Sequence, residues 1–293
     1  MAAKLDFAAA RAGTPVRLVP QGLAKPWGRR ALGDWGLGLD DSMAGQPIGE
    51  IHHVGAGDDP ALLIKTLFTA DRLSVQVHPD DRAARASGAR RGKDEAWVVL
   101  AAEPGAQIGL GLASPTTVAA LRAAALDGSI VGMMRWHDCV AGDVFVTPAG
   151  TIHAIGSGVT LFEIQQNCDL TYRLYDYGSG RTLHLDDAIA VADTAAWAPM
   201  PPLPAPGPER ELLVAGPGFV LERLRIAGAG RLAPPVGVPA WVAISAGEGQ
   251  IGGEGIAPGE VWLLDGHTGV AGDAELLVAH VGTAPAAALW QPA

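Results

Sequence analysis

The chain has 293 residues, 48% hydrophobic, 18% charged and 5% aromatic, enough for one large or two ordinary domains with buried cores. That apolar share excludes a wholly disordered chain, and 39 glycines and 22 prolines without a repeat exclude collagen-like and low-complexity classes. Lys and Arg number 21 against 31 Asp and Glu, a formal charge of −10, which disfavours general nucleic-acid binding and demands a local basic cluster if the ligand is an anion.

The opening stretch MAAKLDFAAARAGTP carries Asp6 in its apolar part and does not read as a secretory signal. No run approaches the roughly 18 apolar residues of a membrane span, so a cytoplasmic setting is expected, with neither membrane nor nucleic acid as partner. Short strands are predicted at 61–69, 73–78, 95–100, 143–147 and 159–165, between Gly, Pro and Asp punctuation. A helical island interrupts them, with Ser114 as N-cap, Pro115 at the first helical position and Asp127-Gly128 as the stop. A second helix is predicted from Asp186. Cys139 and Cys168 lack CxxC spacing and read as buried hydrophobes. The segment WAPMPPLPAPGPER, 197–210, holds six prolines and reads as an extended linker. Beyond it, strands are predicted at 219–226, 240–245, 259–264 and 275–281, again separated by glycine turns. Many short strands with little helix predict a mainly β chain of two tandem barrel or sandwich modules.

Gln76 and His78 stand at i and i+2 in LSVQVHPDD, which puts both on one face of a strand and Val75 and Val77 on the other. A polar pair backed by valines suits the wall of a polar cavity. Glu95 opens the next strong strand and His153 lies in GDVFVTPAGTIHAI. Two imidazoles, a carboxylate and an amide oxygen make a mixed N/O site for Zn²⁺ or another divalent ion. Taken singly, each residue also has an ordinary structural reading. The glycine clusters at 109–112 and 252–255 read as turns, not phosphate loops.

Gly142, Pro148, Gly150 and His153 reproduce the second motif of the cupins, and QVH stands where the first cupin motif has HxH. With KPWGRR, LIKTLFTADRLSVQVHPDD, GKDEAW and FEIQQNCDLTYRLYDYG, residues 20 to 190 resemble the type I mannose-6-phosphate isomerases, in their short bacterial form. The resemblance implies two cupin-like jelly-roll barrels. It divides the chain into a catalytic domain over 1–198 with a helical insertion near 114–135, a linker over 199–210, and a degenerate cupin-like domain over 211–293. It implies one Zn²⁺ per chain on Gln76, His78, Glu95 and His153, with Arg173 at the active site and Ser74, Lys65 and Lys93 lining the pocket. Gly92 stands where the long form has histidine, and His52 where the family often has tryptophan. In the C-terminal part, Asp265 replaces the motif's proline and His267 falls three residues short, so His267 and His280 read as non-ligands.

The activity implied is aldose–ketose isomerisation of mannose 6-phosphate and fructose 6-phosphate through an enediol, with a sugar phosphate as the small-molecule partner. Ser74, Lys65 or Arg173 would meet the phosphate. Lys93, two residues before Glu95 on a strand, points into the same cavity and is the expected proton-moving group. Asp169 is the runner-up. The rival readings are another metal cupin enzyme, such as an iron dioxygenase, and a non-catalytic sugar-binding cupin.

Overall fold

The computed structural model describes residues 13–293. The reading of the leader therefore lies mostly outside the described residues. The chain is mainly β, and three antiparallel sheets account for its strands. One sheet has six strands in the order Val19–Arg29, Ile48–Val54, Leu62–Phe68, Val159–Gln166, Glu95–Ala102, Val144–Thr147. A second has five, in the order Tyr172–Tyr175, Val75–Val77, His153–Ile155, Gln107–Leu112, Met134–Asp138. Leu67, Trp97, Val99 and Leu161 of the six-stranded sheet meet Ile108 and Ile155 of the five-stranded one in a single core, so the two face each other as a barrel.

Each outer face is covered by a different partner. Val75 and Val77 turn away from the barrel and pack with Leu121, Ala125, Ile130 and Ile189 of the helices Val118–Asp127, Ile130–Met133 and Leu185–Val191. Phe162, Ile164, Val98, Leu62 and Ile64 pack against Phe219, Leu221, Trp241, Val261 and Leu277 of the third sheet. That sheet contains Arg210–Ala215, Val220–Leu232, Ala240–Ile251, Val261–Leu264 and Thr268–His280, and its edge is completed by Val16–Arg17 from near the start of the chain. Alternation is thus the rule along Val159–Gln166. Phe162 and Ile164 face the third sheet while Glu163 and Gln165 face the barrel.

The expected β modules and helical insertion are present, with shifts at their edges. The first long helix starts at Val118, not at Pro115. Thr117 is the N-cap and its hydroxyl accepts from Ala120 N–H at 3.2 Å. Thr116 N–H bonds Thr194 at 2.9 Å, which holds the chain extended through the predicted first turn. The strand predicted to stop at Ile226 runs on to Leu232. Its AGAG tail pairs in register with 270–273, and Gly272 adopts φ +143° where an added Cβ would lie 2.4 Å from the Glu248 carbonyl oxygen. Glycine there permits close approach of two strands where composition alone suggests a turn. Among the described residues no helix is long and apolar enough to cross a membrane.

His52 and His53, adjacent on one strand, face opposite ways. His52 pairs with Glu50 at 2.7 Å, whereas His53 is buried against Phe162 and Thr66 Oγ1, the latter at 3.0 Å. Burial, helped by repulsion from His52, lowers the pKa of His53 from 6.5 to about 3. The unfolded chain therefore takes up a proton below pH 6.5 that the folded chain refuses, and stability is lost progressively from pH 6.5 down to about 3. Between pH 7 and 5 this one residue should cost about 2 kcal/mol. Urea unfolding of wild type and His53→Gln at both pH values checks it, because the other titrating groups cancel in the difference. Parallel pH profiles for the two proteins would refute the assignment.

Candidate active site

The two barrel sheets carry the polar residues as rows. In the five-stranded sheet Gln76 is paired on one side with His153 and on the other with Arg173. Residues directly opposite in an antiparallel pair share a face, so the three side chains stand together inside the barrel. In the six-stranded sheet Glu163 is opposite both Lys65 and Trp97, and Gln165 is opposite Glu95. His78 follows Val77, and its carbonyl accepts from Gly150 N–H at 2.8 Å, which anchors the Pro148–Thr151 turn beside it.

These rows converge on one point. Ligand atoms of His78, Glu95 and His153 all lie within 4.8 Å of one another, and all three residues are buried. His78 Nδ1 donates to the Leu170 carbonyl at 2.9 Å and His153 Nδ1 to the Thr151 carbonyl at 2.8 Å. Each ring is therefore fixed with its lone pair on Nε2, facing inward. His153 Nε2 lies 3.3 Å from Glu95 Oε1, and that oxygen is buried without a hydrogen-bond donor. His78 Nε2 lies 3.6 Å from Glu95 Oε2. Acceptors turned toward one another in a dry site are tolerable only if a cation lies among them. Burial pushes the Glu95 carboxyl up and drives His78 and His153 well down, His153 to about 3. Unprotonated imidazoles and an under-compensated carboxylate are the donor set of a divalent metal site, and these residues fit one.

Lys93 Nζ donates to Glu95 Oε2 at 2.5 Å and to His78 Nε2 at 3.0 Å, so its ammonium is the positive charge at that point. The Gln76 amide nitrogen lies 3.2 Å from His153 Nε2, and its oxygen accepts from Ser74 Oγ at 3.2 Å. A half-turn of the amide would bring the oxygen to the same centre. Gln76 and Lys93 line the floor of a cavity of about 450 Å³, with His78, Glu95 and His153 packed behind them, and Lys25, Trp27, Glu50, Lys65, Asp169, Arg173, Arg181 and His184 form its walls.

The site residues singled out in the sequence all lie in the wall of this cavity or directly behind it, but in unequal circumstances. Lys65 is half-buried in the wall, bonded to Glu163 at 2.8 Å and Gln165 at 2.5 Å. Against the effect of burial, Glu163 and Glu50 raise its pKa. Asp169 is exposed at the mouth. Glu163 was not foreseen. Burial would raise its pKa, yet Lys65 and Lys93 bring it down to about 2, and it accepts from Trp97 Nε1 at 3.3 Å. The alternation of FEIQQ in a buried strand was the available signal. His184, which has no partner at metal spacing in the sequence, and Arg181 also line the wall. At Gly92 an added Cβ would lie 2.4 Å from the Asp80 carbonyl carbon, so this backbone leaves no room there for a side chain.

No family model matches the chain. It is 35% identical over 206 residues to the mannose-6-phosphate isomerase of Streptococcus mutans, covering 65% of this chain and 62% of that protein. It is 40% identical over 144 residues to a mannose-6-phosphate isomerase of Bacillus subtilis, covering 47% of this chain and 45% of that one. The match thus spans less than two thirds of these relatives' length. Along the backbone, it is similar to the solved mannose 6-phosphate isomerase of Bacillus subtilis, with a TM-score of 0.80 and 24% identity over 92% of this chain and 100% of that one. A solved mannose 6-phosphate isomerase bound with zinc and yttrium gives a TM-score of 0.67 at 14% identity, covering 92% and 99%. Over 65% of its length this chain is similar in sequence to a mannose-6-phosphate isomerase, and over 92% of it the chain shares the fold of a solved one.

Proposed function

We propose that the chain is a zinc-dependent aldose–ketose isomerase that interconverts mannose 6-phosphate and fructose 6-phosphate, a cytoplasmic reaction on a small sugar phosphate. The observation that carries this reading is the convergence of His78, Glu95 and His153 directly behind a cavity of sugar-phosphate size that Gln76, Lys93 and Arg173 line. One Zn²⁺ per chain would be held by those three residues and the Gln76 amide oxygen. When bound, the ion orients sugar oxygens and stabilises the negative charge of an enediolate.

The chain's own residues supply the rest. Lys93 is placed to take a proton from one carbon and return it to its neighbour. Arg173 cannot act as a base, because a guanidinium keeps its proton, and it serves an oxyanion or the phosphate instead. Ser74 orients Gln76. Lys65 is read as holding Glu163 and the pocket wall rather than reaching the substrate, and Asp169 as a polar group at the mouth. Residues 1–198 would carry the chemistry, and 211–293 would serve as the cover over the outer face of the six-stranded sheet, joined by the proline-rich stretch 199–210.

A coupled assay of the zinc-loaded protein on hexose, pentose and deoxy-sugar phosphates tests the proposal. Turnover highest on mannose 6-phosphate is expected. No turnover on any member of the panel would rule the reading out.

A further inference from the structure

We infer that His184 is a ligand of the substrate's phosphate, donating from an Nε2–H that the backbone of Arg173 fixes in place. The inference deepens the isomerase reading and rests on it for the identity of the substrate. Arg173 N–H donates to His184 Nδ1 at 3.2 Å, and His184 N–H donates to the Arg173 carbonyl at 2.9 Å. An Nδ1 that accepts leaves the ring proton on Nε2. That nitrogen makes no hydrogen bond to the described protein, and the ring lines the 450 Å³ cavity.

The charges around the cavity say what it would meet. Lys25 is paired with Glu50, Lys65 with Glu163, Lys93 with Glu95 and Arg181 with Asp176. Among the described residues that line this cavity, Arg173 is the cation with no carboxylate within ion-pair distance. Its Nη1 lies 3.5 Å from His184 Nδ1, so guanidinium and imidazole stand side by side. A guanidinium with no carboxylate bonded to it, beside a fixed neutral donor, is a seat for an anion. A sugar hydroxyl would not need that charge, whereas a phosphate would.

Two substitutions separate touching the ligand from steadying Arg173. His184→Asn keeps an oxygen near the Nδ1 position, so it can still accept from Arg173 N–H, but loses the reach of Nε2. His184→Gln places an amide nitrogen near Nε2 and gives up the Nδ1 acceptor. Calorimetry on the zinc-loaded proteins reads binding of fructose 6-phosphate and, separately, of inorganic phosphate. His184→Asn should weaken both by about tenfold and raise KM in step, with kcat changed less than about threefold, as expected for one charge-assisted hydrogen bond. His184→Gln should stay within about threefold of wild type for both ligands. Wild-type affinity in His184→Asn, or rescue by Asn and not by Gln, would overturn the inference.

A second measurement is independent of folding in the variants. Phosphate added to ¹⁵N-histidine-labelled wild type should shift the Nε2–H resonance of His184, and an unmoved resonance overturns the inference. A wild type that binds both ligands but isomerises no sugar phosphate removes the isomerase reading and leaves this one standing. A wild type that binds neither overturns it.

Discussion

Glu95→Gln is expected to reduce bound divalent metal from about one ion per chain to near none, and to cut turnover on the order of a thousandfold. The two histidines remain, but both are neutral donors whose inward lone pairs are set by the carbonyls of Leu170 and Thr151. Glu95 is the one anion among the three converging residues. A glutamine keeps the shape and removes the charge, so the loss reads electrostatics rather than packing. Metal added to the apo wild type should raise its melting temperature by mass action, and metal added to the variant should not. Elemental analysis decides the location. Full metal occupancy in a His78→Ala/His153→Ala double variant would place the ion elsewhere.

How far this site could be read from residues alone depended on the distance between its parts. Gln76 and His78 are two residues apart, and strand periodicity was enough to put them on one face with Val75 and Val77 turned to the helices. His153 lies far along the chain, and only the turn pattern of Gly142, Pro148 and Gly150 tied it to them. Glu163 sits in a strand that reads as an apolar run, because it is covered on both sides by Phe162 and Ile164 against one sheet and by the barrel against the other. Its pairing with Lys65 comes from strand register, which one sequence does not specify. His184 and Arg173 are brought together in the same way, by a backbone pair across a loop. The strands run past their predicted ends through glycines that read as turns, Gly228 and Gly272, which stand opposite each other in mid-strand, and at Gly272 the glycine admits the Glu248 backbone. The helix start slipped because a distant residue, Thr194, holds Thr116 extended.

Lys93→Met is expected to abolish solvent-isotope exchange at the carbon next to the carbonyl, while fructose 6-phosphate still binds within about threefold of wild type. The proton-moving group must reach that carbon at the floor of the cavity, where the sugar oxygens are to be held. Lys93 Nζ is there, 3.0 Å from His78 Nε2 and 2.5 Å from Glu95 Oε2, and the residue is buried. Its partners are the very atoms that would hold a divalent ion, so with an ion bound Lys93 Nζ would be released from them and available to the substrate. Asp169 is exposed at the mouth and must cross the cavity to do the same work. Arg173→Lys keeps a cation but loses the planar fork, so it should slow turnover by about tenfold to a hundredfold while exchange stays measurable. Methionine fills the space of the lysine stem without its charge, which limits collapse of the pocket. If Lys93→Met exchanges at the wild-type rate and loses only affinity, the lysine is a binding residue, and Asp169 becomes the group to substitute next.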